Sequence, residues 1–315
     1  MLYRAIIAWP ELGSLQGMSH SRSTRWWSMR KQYPRSIAVT SLFHRLNLSS
    51  RPSFDFQSAF RLVNPPATSW NIGDGLPKER TEWKENVVSS QRKSWDLIKP
   101  ENMRDSYRLL TSAIVPRPIA LVSTISQDGQ PNLAPFSYFS MVSHNPPMVS
   151  LSFSLSTRRP KDTRNNILAT KEFTVSIISE AFAEAANSTS VESPADTDEW
   201  IISGLTKEKS TSVRPPFVQE SAVGMECELY SFQDICTRGS EEPTTTVVLG
   251  LIKHVHVSES VLDEDGMTVD PAKLRAIARL GGVTYARVLE GFDLPRMSWK
   301  AIRDQYPQLP RNGRL

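Results

Sequence analysis

The sequence predicts a mainly β protein, an antiparallel barrel accompanied by a few helices. Short β-rich runs separated by turn signals recur between residues 119 and 257. The regular strand–helix alternation that is typical of doubly wound sheets is missing from this stretch. Neither a G-x-G-x-x-G run after a strand nor a Walker A motif occurs, so the sequence indicates no Rossmann dinucleotide site and no P-loop.

Six runs account for the predicted strands. Residues 119–125 lead into Asp128-Gly129, a strong hairpin signal, and residues 132–139 return from that turn. Pro135 places the returning run at a sheet edge or a bulge, because proline has no backbone N–H to donate. In residues 148–153 apolar residues alternate with serines, which predicts one buried and one polar face. The remaining runs are residues 173–178, 225–232 and 244–257.

Three segments have helical patterns. They are residues 162–170, residues 181–186 and residues 271–280. The last begins with Pro271, a residue favoured in the first turn of a helix. Because these helices are isolated among many strands, they fit a barrel better than a layered α/β fold.

The positive charge of the chain is concentrated near its start. The 315 residues contain 37 basic and 33 acidic residues, of which nine basic and two acidic lie in residues 1–64. The rest is slightly acidic, so we expect no nucleic-acid partner. No apolar run approaches the roughly 18 residues that suggest a membrane span, so we expect no membrane association. The two cysteines, Cys227 and Cys236, provide neither a disulfide framework nor a four-ligand zinc site.

Composition divides the chain into four predicted parts. Residues 1–64 are a basic, serine-rich leader, either a mitochondrial transit segment or a disordered extension without targeting function. The predicted location is therefore cytoplasmic, or mitochondrial in the first case. Residues 65–106 form an extended arm with three tryptophans, residues 107–297 form the barrel, and residues 298–315 form a C-terminal tail.

The first candidate site segment is residues 132–139, Asn-Leu-Ala-Pro-Phe-Ser-Tyr-Phe. We expect Pro135 to disrupt ladder pairing and to leave backbone N–H groups that can meet a ligand. Ser137 adds a hydroxyl, and the three aromatic residues offer flat apolar surface. The alternative is an ordinary edge strand that buries its aromatic rings.

The second candidate segment opens the helix at residues 162–170. Lys161 lies just before the helix, and either Asp162 or Thr163 can cap it. A helix start carries unpaired N–H donors and a positive dipole, so this segment suits a phosphate dianion. A plain N-cap with solvated cations explains the same residues.

Two further candidate segments are turns when each is taken alone, and a separate pair of histidines has the spacing of possible metal ligands. The segments are residues 187–190 (Asn-Ser-Thr-Ser) and residues 280–287, which contain Gly281-Gly282 and Tyr285. His254 and His256 lie two apart on a predicted strand and share one face. We interpret the pair as part of a polar strand face rather than as a metal site.

Together these runs resemble the flavin reductase-like family, whose members have an FMN-binding split barrel. The matching runs occur in order over residues 107–297. The segment Trp70 to Gly75 and the tryptophans that follow are similar to an arm of fungal-type members. The runs that carry the resemblance are residues 114–124, 128–129, 132–139, 159–167, 187–190, 270–274 and 280–288.

The resemblance implies a six-stranded antiparallel split barrel that forms a homodimer, with FMN near the subunit interface. It implies that residues 134–139 line the isoalloxazine and ribityl chain and that Lys161 and Thr163 hold the phosphate with the helix amides. It also implies that Tyr285 covers a ring edge, either within its own chain or as a residue of the partner chain. The implied cofactor-binding residues are Ala134, Pro135, Phe136, Ser137, Tyr138, Phe139, Ser152, Ser154, Lys161, Asp162, Thr163, Asn187, Ser190 and Tyr285.

The activity that the resemblance implies is an FMN-dependent oxidoreductase. FMN takes hydride from NADH or NADPH and passes electrons to free flavin, oxygen or a partner monooxygenase. Because the flavin supplies the hydride chemistry, no protein acid or base is predicted to dominate catalysis. Two alternatives stay open: an FMN-binding carrier or sensor without turnover, and an enzyme similar to pyridoxamine-phosphate oxidase.

Overall fold

A computed structural model describes residues 51–77, 80–99, 103–156 and 161–309. The chain divides into two compact units, Met1–Phe56 and Gln57–Leu315. Only residues 51–56 of the first unit are described, and there the rings of Phe54 and Phe56 lie 4.8 Å apart. Most of the predicted leader therefore lies outside the described residues, and its role stays a prediction.

The second unit is dominated by strands, with short helices between them. In chain order the strands are β1 Arg61–Val63, β2 Ala120–Ile125, β3 Pro131–Phe136, β4 Phe139–His144, β5 Pro147–Ser154, β6 Glu172–Ile177, β7 Lys207–Glu208, β8 Phe217–Val218, β9 Val223–Cys236, β10 Pro243–Val257, β11 Ile277–Arg279, β12 Tyr285–Arg287 and β13 Glu290–Phe292. The α-helices are α1 Thr81–Trp83, α2 Met103–Ala113, α3 Asp162–Thr170, α4 Ala183–Ser188, α5 Glu199–Ser203, α6 Pro271–Leu274 and α7 Trp299–Ile302.

The central sheet has seven strands in the order β3-β2-β6-β9-β10-β5-β4, all antiparallel to their neighbours. The predicted class, mainly β with a few helices, is confirmed. The predicted count of six strands was too low, and β3 and β4 do not pair with each other to close the sheet. The run at residues 132–139 is not one strand: it bends at Ser137 and Tyr138 and continues as β4, which pairs with β5.

The proline in β3 does not disrupt the ladder, contrary to the sequence-based expectation. β3 pairs with β2 in unbroken register from Ala120–Phe136 to Ile125–Pro131. The backbone N–H of Leu133 donates away from β2, to the side chain of Glu199 at 3.3 Å. Because alternate residues of an antiparallel strand point the same way, the nitrogen of Pro135 also faces away from β2. Pro135 therefore costs no ladder hydrogen bond, and its placement on an edge strand is confirmed.

The hydrophobic core lies on both sides of β2. On β5, Val149, Leu151 and Phe153 are buried, whereas the serines between them are partly exposed, as the alternation predicted. One cluster packs β5 against strands β2, β6, β9 and β10 and helix α3. A second cluster packs the other face of β2 and β3 under helices α4 and α5. These two clusters hold β3 and the start of α3 in fixed positions.

The helical predictions are confirmed at one segment and corrected at two. Helix α3 has the bounds that the sequence predicted. The segment at 181–186 begins as a 3₁₀ turn, Glu180–Phe182, before α4. The predicted helix at 271–280 was too long: α6 ends at Leu274, and its C-cap residue Arg275 has a left-handed φ of 51°. The chain then forms β11 because the buried Ile277 and Ala278 pack best in extended backbone.

The end of the predicted leader segment contributes one strand to the second unit. β1 runs parallel to β13, and Arg61 forms an exposed ion pair with Glu290 at 2.8 Å. β1 falls inside the segment 1–64 that the sequence assigns to the leader. Removal of residues 1–64 would therefore delete a paired strand. Within the described ranges, no helix is both long and apolar enough to cross a membrane.

Candidate functional site

Two adjoining cavities lie beside the edge strand β3. The first has a volume of about 350 Å³ and is lined mainly by β3, the start of α3 and residues 189–195. The second has a volume of about 250 Å³ and is lined by residues 135–138, the serines of β5, α2 and residues 279–282. Pro135, Phe136 and Lys161 line both cavities. The two segments that the sequence singled out therefore share one cleft.

A buried hydrogen bond joins the two predicted segments directly. The Asn132 side-chain amide donates to the Thr163 hydroxyl at 2.8 Å and to the Thr124 hydroxyl at 3.3 Å. Asn132 and Thr163 are 9% and 2% exposed. Because the amide spans from β3 to the first turn of α3, it fixes the helix start against the strand. Asn132 was part of the predicted segment but was not among the predicted site residues.

The start of α3 is open, which bears on the capping alternative. Lys161 occupies the N-cap position, and no side chain among the described residues caps the helix. Asp162 and Thr163 are its first two residues, so they do not act as caps. The Lys161 side chain lines both cavities, and its ammonium forms no hydrogen bond or ion pair with the described residues. The first cavity thus receives a cation and the positive end of a helix dipole.

The segment at 187–190 reaches the first cavity through Thr189 and Ser190. The Ser190 hydroxyl donates to the carbonyl of Asn187 at 2.7 Å, so it closes the end of α4. The Asn187 side chain accepts a hydrogen bond from the Tyr285 hydroxyl at 2.7 Å. Asn187 and Tyr285 are therefore brought together, but neither lines the two cavities.

The second cavity combines aromatic rings with hydroxyls. Ser152 and Ser154 enter it from the polar face of β5, and Ser137 and Tyr138 enter it from the bend after β3. Burial raises the pKa of Tyr138, and the neighbouring Tyr107 adds to this, while Arg117 acts in the opposite direction. The Tyr138 phenol is therefore a neutral hydrogen-bonding group on the cavity wall near neutral pH.

Of the predicted site residues, eleven line one or both cavities. Phe139 is an exception because its partly buried ring packs against the core on β5. Asn187 and Tyr285 also line neither cavity. The cofactor contacts of all fourteen predicted site residues stay predictions. The eleven are Ala134, Pro135, Phe136, Ser137, Tyr138, Ser152, Ser154, Lys161, Asp162, Thr163 and Ser190.

Two buried charged residues of the cavities were missed by the sequence analysis. Glu199 lines the first cavity, where its carboxylate accepts hydrogen bonds from the Leu133 N–H and, at 2.6 Å, from the Ser193 hydroxyl. Arg117 lines the second cavity and is 9% exposed. Arg117 lies within the run 114–124 that carried the resemblance, but nothing in the sequence indicated that it is buried.

The histidine pair lies on β10, apart from both cavities. His256 forms a 2.6 Å contact with the buried carboxylate of Glu226 and stacks on Phe217. Burial opposes ionisation of Glu226, but hydrogen bonds from Thr211, Ser212 and His256 lower its pKa to about 2. No group of three or more His, Cys, Asp or Glu in the described part of the chain is arranged to hold a metal ion.

The chemistry of the two cavities fits a phosphorylated planar ligand. The first supplies an ammonium, an open helix start and hydroxyls, which are the donors that bind a phosphate group. The second supplies aromatic faces with a few serine hydroxyls, which suit a flat ring with polar edges. On the donor set alone, the residues fit FMN.

Comparison with known proteins supports this interpretation. The flavin reductase like domain family matches residues 112–277. A protein of unassigned function from Aquifex aeolicus is 38% identical over 192 residues, which covers 61% of this chain and 94% of that protein.

Two solved structures are also similar. Nitrilotriacetate monooxygenase component B from Bacillus cereus is 32% identical with a TM-score of 0.61, covering 65% of this chain and 100% of that one. A split barrel domain from Shewanella frigidimarina is 25% identical with a TM-score of 0.56, covering 66% and 99%. The chain therefore belongs to the flavin reductase-like domain family, which makes it a flavin-related protein of oxidoreductase type.

Proposed function

We propose that the protein binds FMN in the two cavities and transfers hydride from NADH or NADPH to it, for onward delivery of electrons to a separate acceptor. The observation that carries the proposal is the pairing of β3 with the start of α3 across one cleft, joined by Asn132 and Thr163. Asn132 and Thr163 are 31 residues apart in the sequence, and their two segments contain the donors that the two ends of FMN require.

In this proposal the first cavity binds the phosphate end. The Lys161 ammonium and the first amides of α3 donate to the phosphate oxygens, and Thr163 is held in place by Asn132. Glu199 tightens the wall, because its carboxylate connects β3 to residue Ser193.

The second cavity binds the ring end. The bend at Ser137 and Tyr138 presents hydroxyls to ring edges, and the Phe136 ring provides an apolar wall. Phe136 is itself held by an edge-to-face contact with Phe153, at 4.7 Å between centroids. When bound, the flavin supplies the hydride-accepting chemistry, and the protein orients it and limits water access.

The acceptor is proposed to be a separate protein or a small molecule. A similar solved structure is component B of a nitrilotriacetate monooxygenase, which fits transfer to a partner enzyme. We also propose that the protein forms a homodimer, that its arm is of the fungal type, and that it is located in the cytoplasm or in mitochondria.

The direct test mixes the purified, FMN-loaded protein anaerobically with NADH or with NADPH and follows flavin absorbance. Loss of the oxidised-flavin absorbance with either donor supports the proposal. Tight FMN binding without reduction by either donor would instead indicate a carrier or sensor. Aldehyde release from pyridoxamine phosphate would instead indicate an enzyme similar to pyridoxamine-phosphate oxidase.

A further inference from the structure

Arg117 is a buried cation whose hydrogen-bond acceptors are all neutral. Its Nη1 donates to the carbonyls of Thr111 at 2.5 Å and Ile114 at 2.7 Å, and its Nη2 donates to the carbonyl of Leu280 at 3.0 Å. Among the residues that the structure describes, no carboxylate forms an ion pair with it.

The neutral partners compensate the charge only in part. Thr111 and Ile114 lie at the C-terminal end of α2, where the helix dipole places the equivalent of about half a negative charge. A substantial part of the guanidinium charge is therefore left in a site that is largely shielded from water. Uncompensated buried charge is strongly unfavourable, so this site favours a negative group brought close by a ligand.

The charge is directed at the second cavity. Nε of Arg117 lies 3.5 Å from the Ser137 hydroxyl oxygen, and both residues line that cavity. The backbone of Arg117 also pairs with Arg279 on another wall, which fixes its position. Arg117 is among the groups that act on the Tyr138 phenol in the same cavity, where it opposes burial and Tyr107.

We propose that Arg117 is a positioning residue that stabilises the reduced form of the flavin relative to the oxidised form, an inference that rests on the proposed function. The hydride, one proton with two electrons, leaves NAD(P)H, which becomes NAD(P)⁺, and forms a bond to the flavin ring. The ring thereby gains one negative charge. The buried guanidinium favours that charge electrostatically, and it holds Ser137 at the ring edge.

The test measures the reduction potential of bound FMN and the dissociation constant of oxidised FMN in Arg117→Gln and Arg117→Lys. We expect Arg117→Gln to reduce the preference for reduced over oxidised flavin at least tenfold, which lowers a two-electron potential by about 30 mV. Arg117→Lys keeps the charge and loses the planar fork, so we expect weaker binding with a potential close to that of the wild type. A purely structural role would weaken binding in both variants and leave both potentials unchanged, which would overturn the proposal.

Arg279→Gln is the matched control. Arg279 lines the same cavity, but its guanidinium is partly exposed and lies over the Tyr285 ring at 4.4 Å. Solvent screens it, so we expect a shift well below that of Arg117→Gln. An equal shift of the reduction potential in both variants would show that the effect is not specific to Arg117 and would overturn the proposal.

The wild type gives a test that does not depend on the folding of a variant. The proposal requires reduced FMN to bind more tightly than oxidised FMN, and equal or weaker binding of reduced FMN would overturn it. Failure of the protein to bind FMN at all would instead refute the proposed function, so the two failures are distinguishable.

Discussion

Replacement of Lys161 by alanine tests the phosphate end of the cleft. The Lys161 side chain lines both cavities, and its ammonium forms no hydrogen bond or ion pair with the described residues, so its removal breaks no polar contact with them. A hydrogen bond between a charged donor and a charged acceptor contributes about 1.5–3 kcal/mol. Because the side chain is partly exposed, we take about 2 kcal/mol, which corresponds to a roughly thirtyfold rise in the Kd of FMN.

The assay is a fluorescence titration of FMN with the wild type and with Lys161→Ala, repeated with riboflavin. Riboflavin lacks the phosphate, so its affinity is expected to be the same for both proteins. Lys253→Ala is the matched control, because Lys253 lines neither cavity and pairs with Glu228 on the surface at 3.1 Å. An unchanged Kd for FMN in Lys161→Ala, or an equal loss with riboflavin, would refute the assignment of the phosphate to this helix start.

Three further predictions concern the supports of the site and the fold. Thr163→Val keeps the side-chain volume but removes the hydroxyl that accepts the hydrogen bond from Asn132. We expect the free energy of unfolding in urea to fall by about 1–3 kcal/mol and FMN to bind more weakly. Unchanged stability would show that the Asn132–Thr163 hydrogen bond does not hold the two segments together. The pKa of Glu226 is lowered to about 2 from an ordinary 4.5, so the stability that its charge contributes is present above about pH 4.5 and is lost as the pH falls toward 2. We expect urea titrations of the wild type to lose about 3 kcal/mol of unfolding free energy over this range, a loss that Glu226→Gln does not show. Identical pH profiles for the two proteins would contradict this. Gly281→Ala would place a methyl group 2.8 Å from Cβ of Ser112 on α2, so we expect displacement of α2 and weaker FMN binding by titration, whereas wild-type affinity would show that the loop can adjust.

The strands and the main site segments were predictable because each leaves a local signal. The alternation of serine and apolar residues on β5 reports which face is buried, and the edge position of β3 follows from Pro135. Helix α3 was predicted with correct bounds.

Other features depend on long-range contacts that no local pattern encodes. β4 could not be separated from β3, since its existence depends on pairing with β5 after the bend at Ser137. The early end of α6 depends on the burial of Ile277 against Ile178 and other core residues. Arg117 and Glu199 were missed for the same reason: charged residues usually lie on the surface, and only the folded chain buries them.

The central claim is that this cleft binds FMN through its phosphate at one end and its ring at the other. The most direct measurement is a parallel titration of the full-length protein with FMN, riboflavin and FAD, followed by flavin fluorescence. The account predicts saturable binding of one FMN per chain. Riboflavin is expected to bind clearly more weakly, because it has no phosphate group to interact with Lys161 in the first cavity. Equal affinity for FMN and riboflavin, or no saturable binding of any flavin, would contradict it.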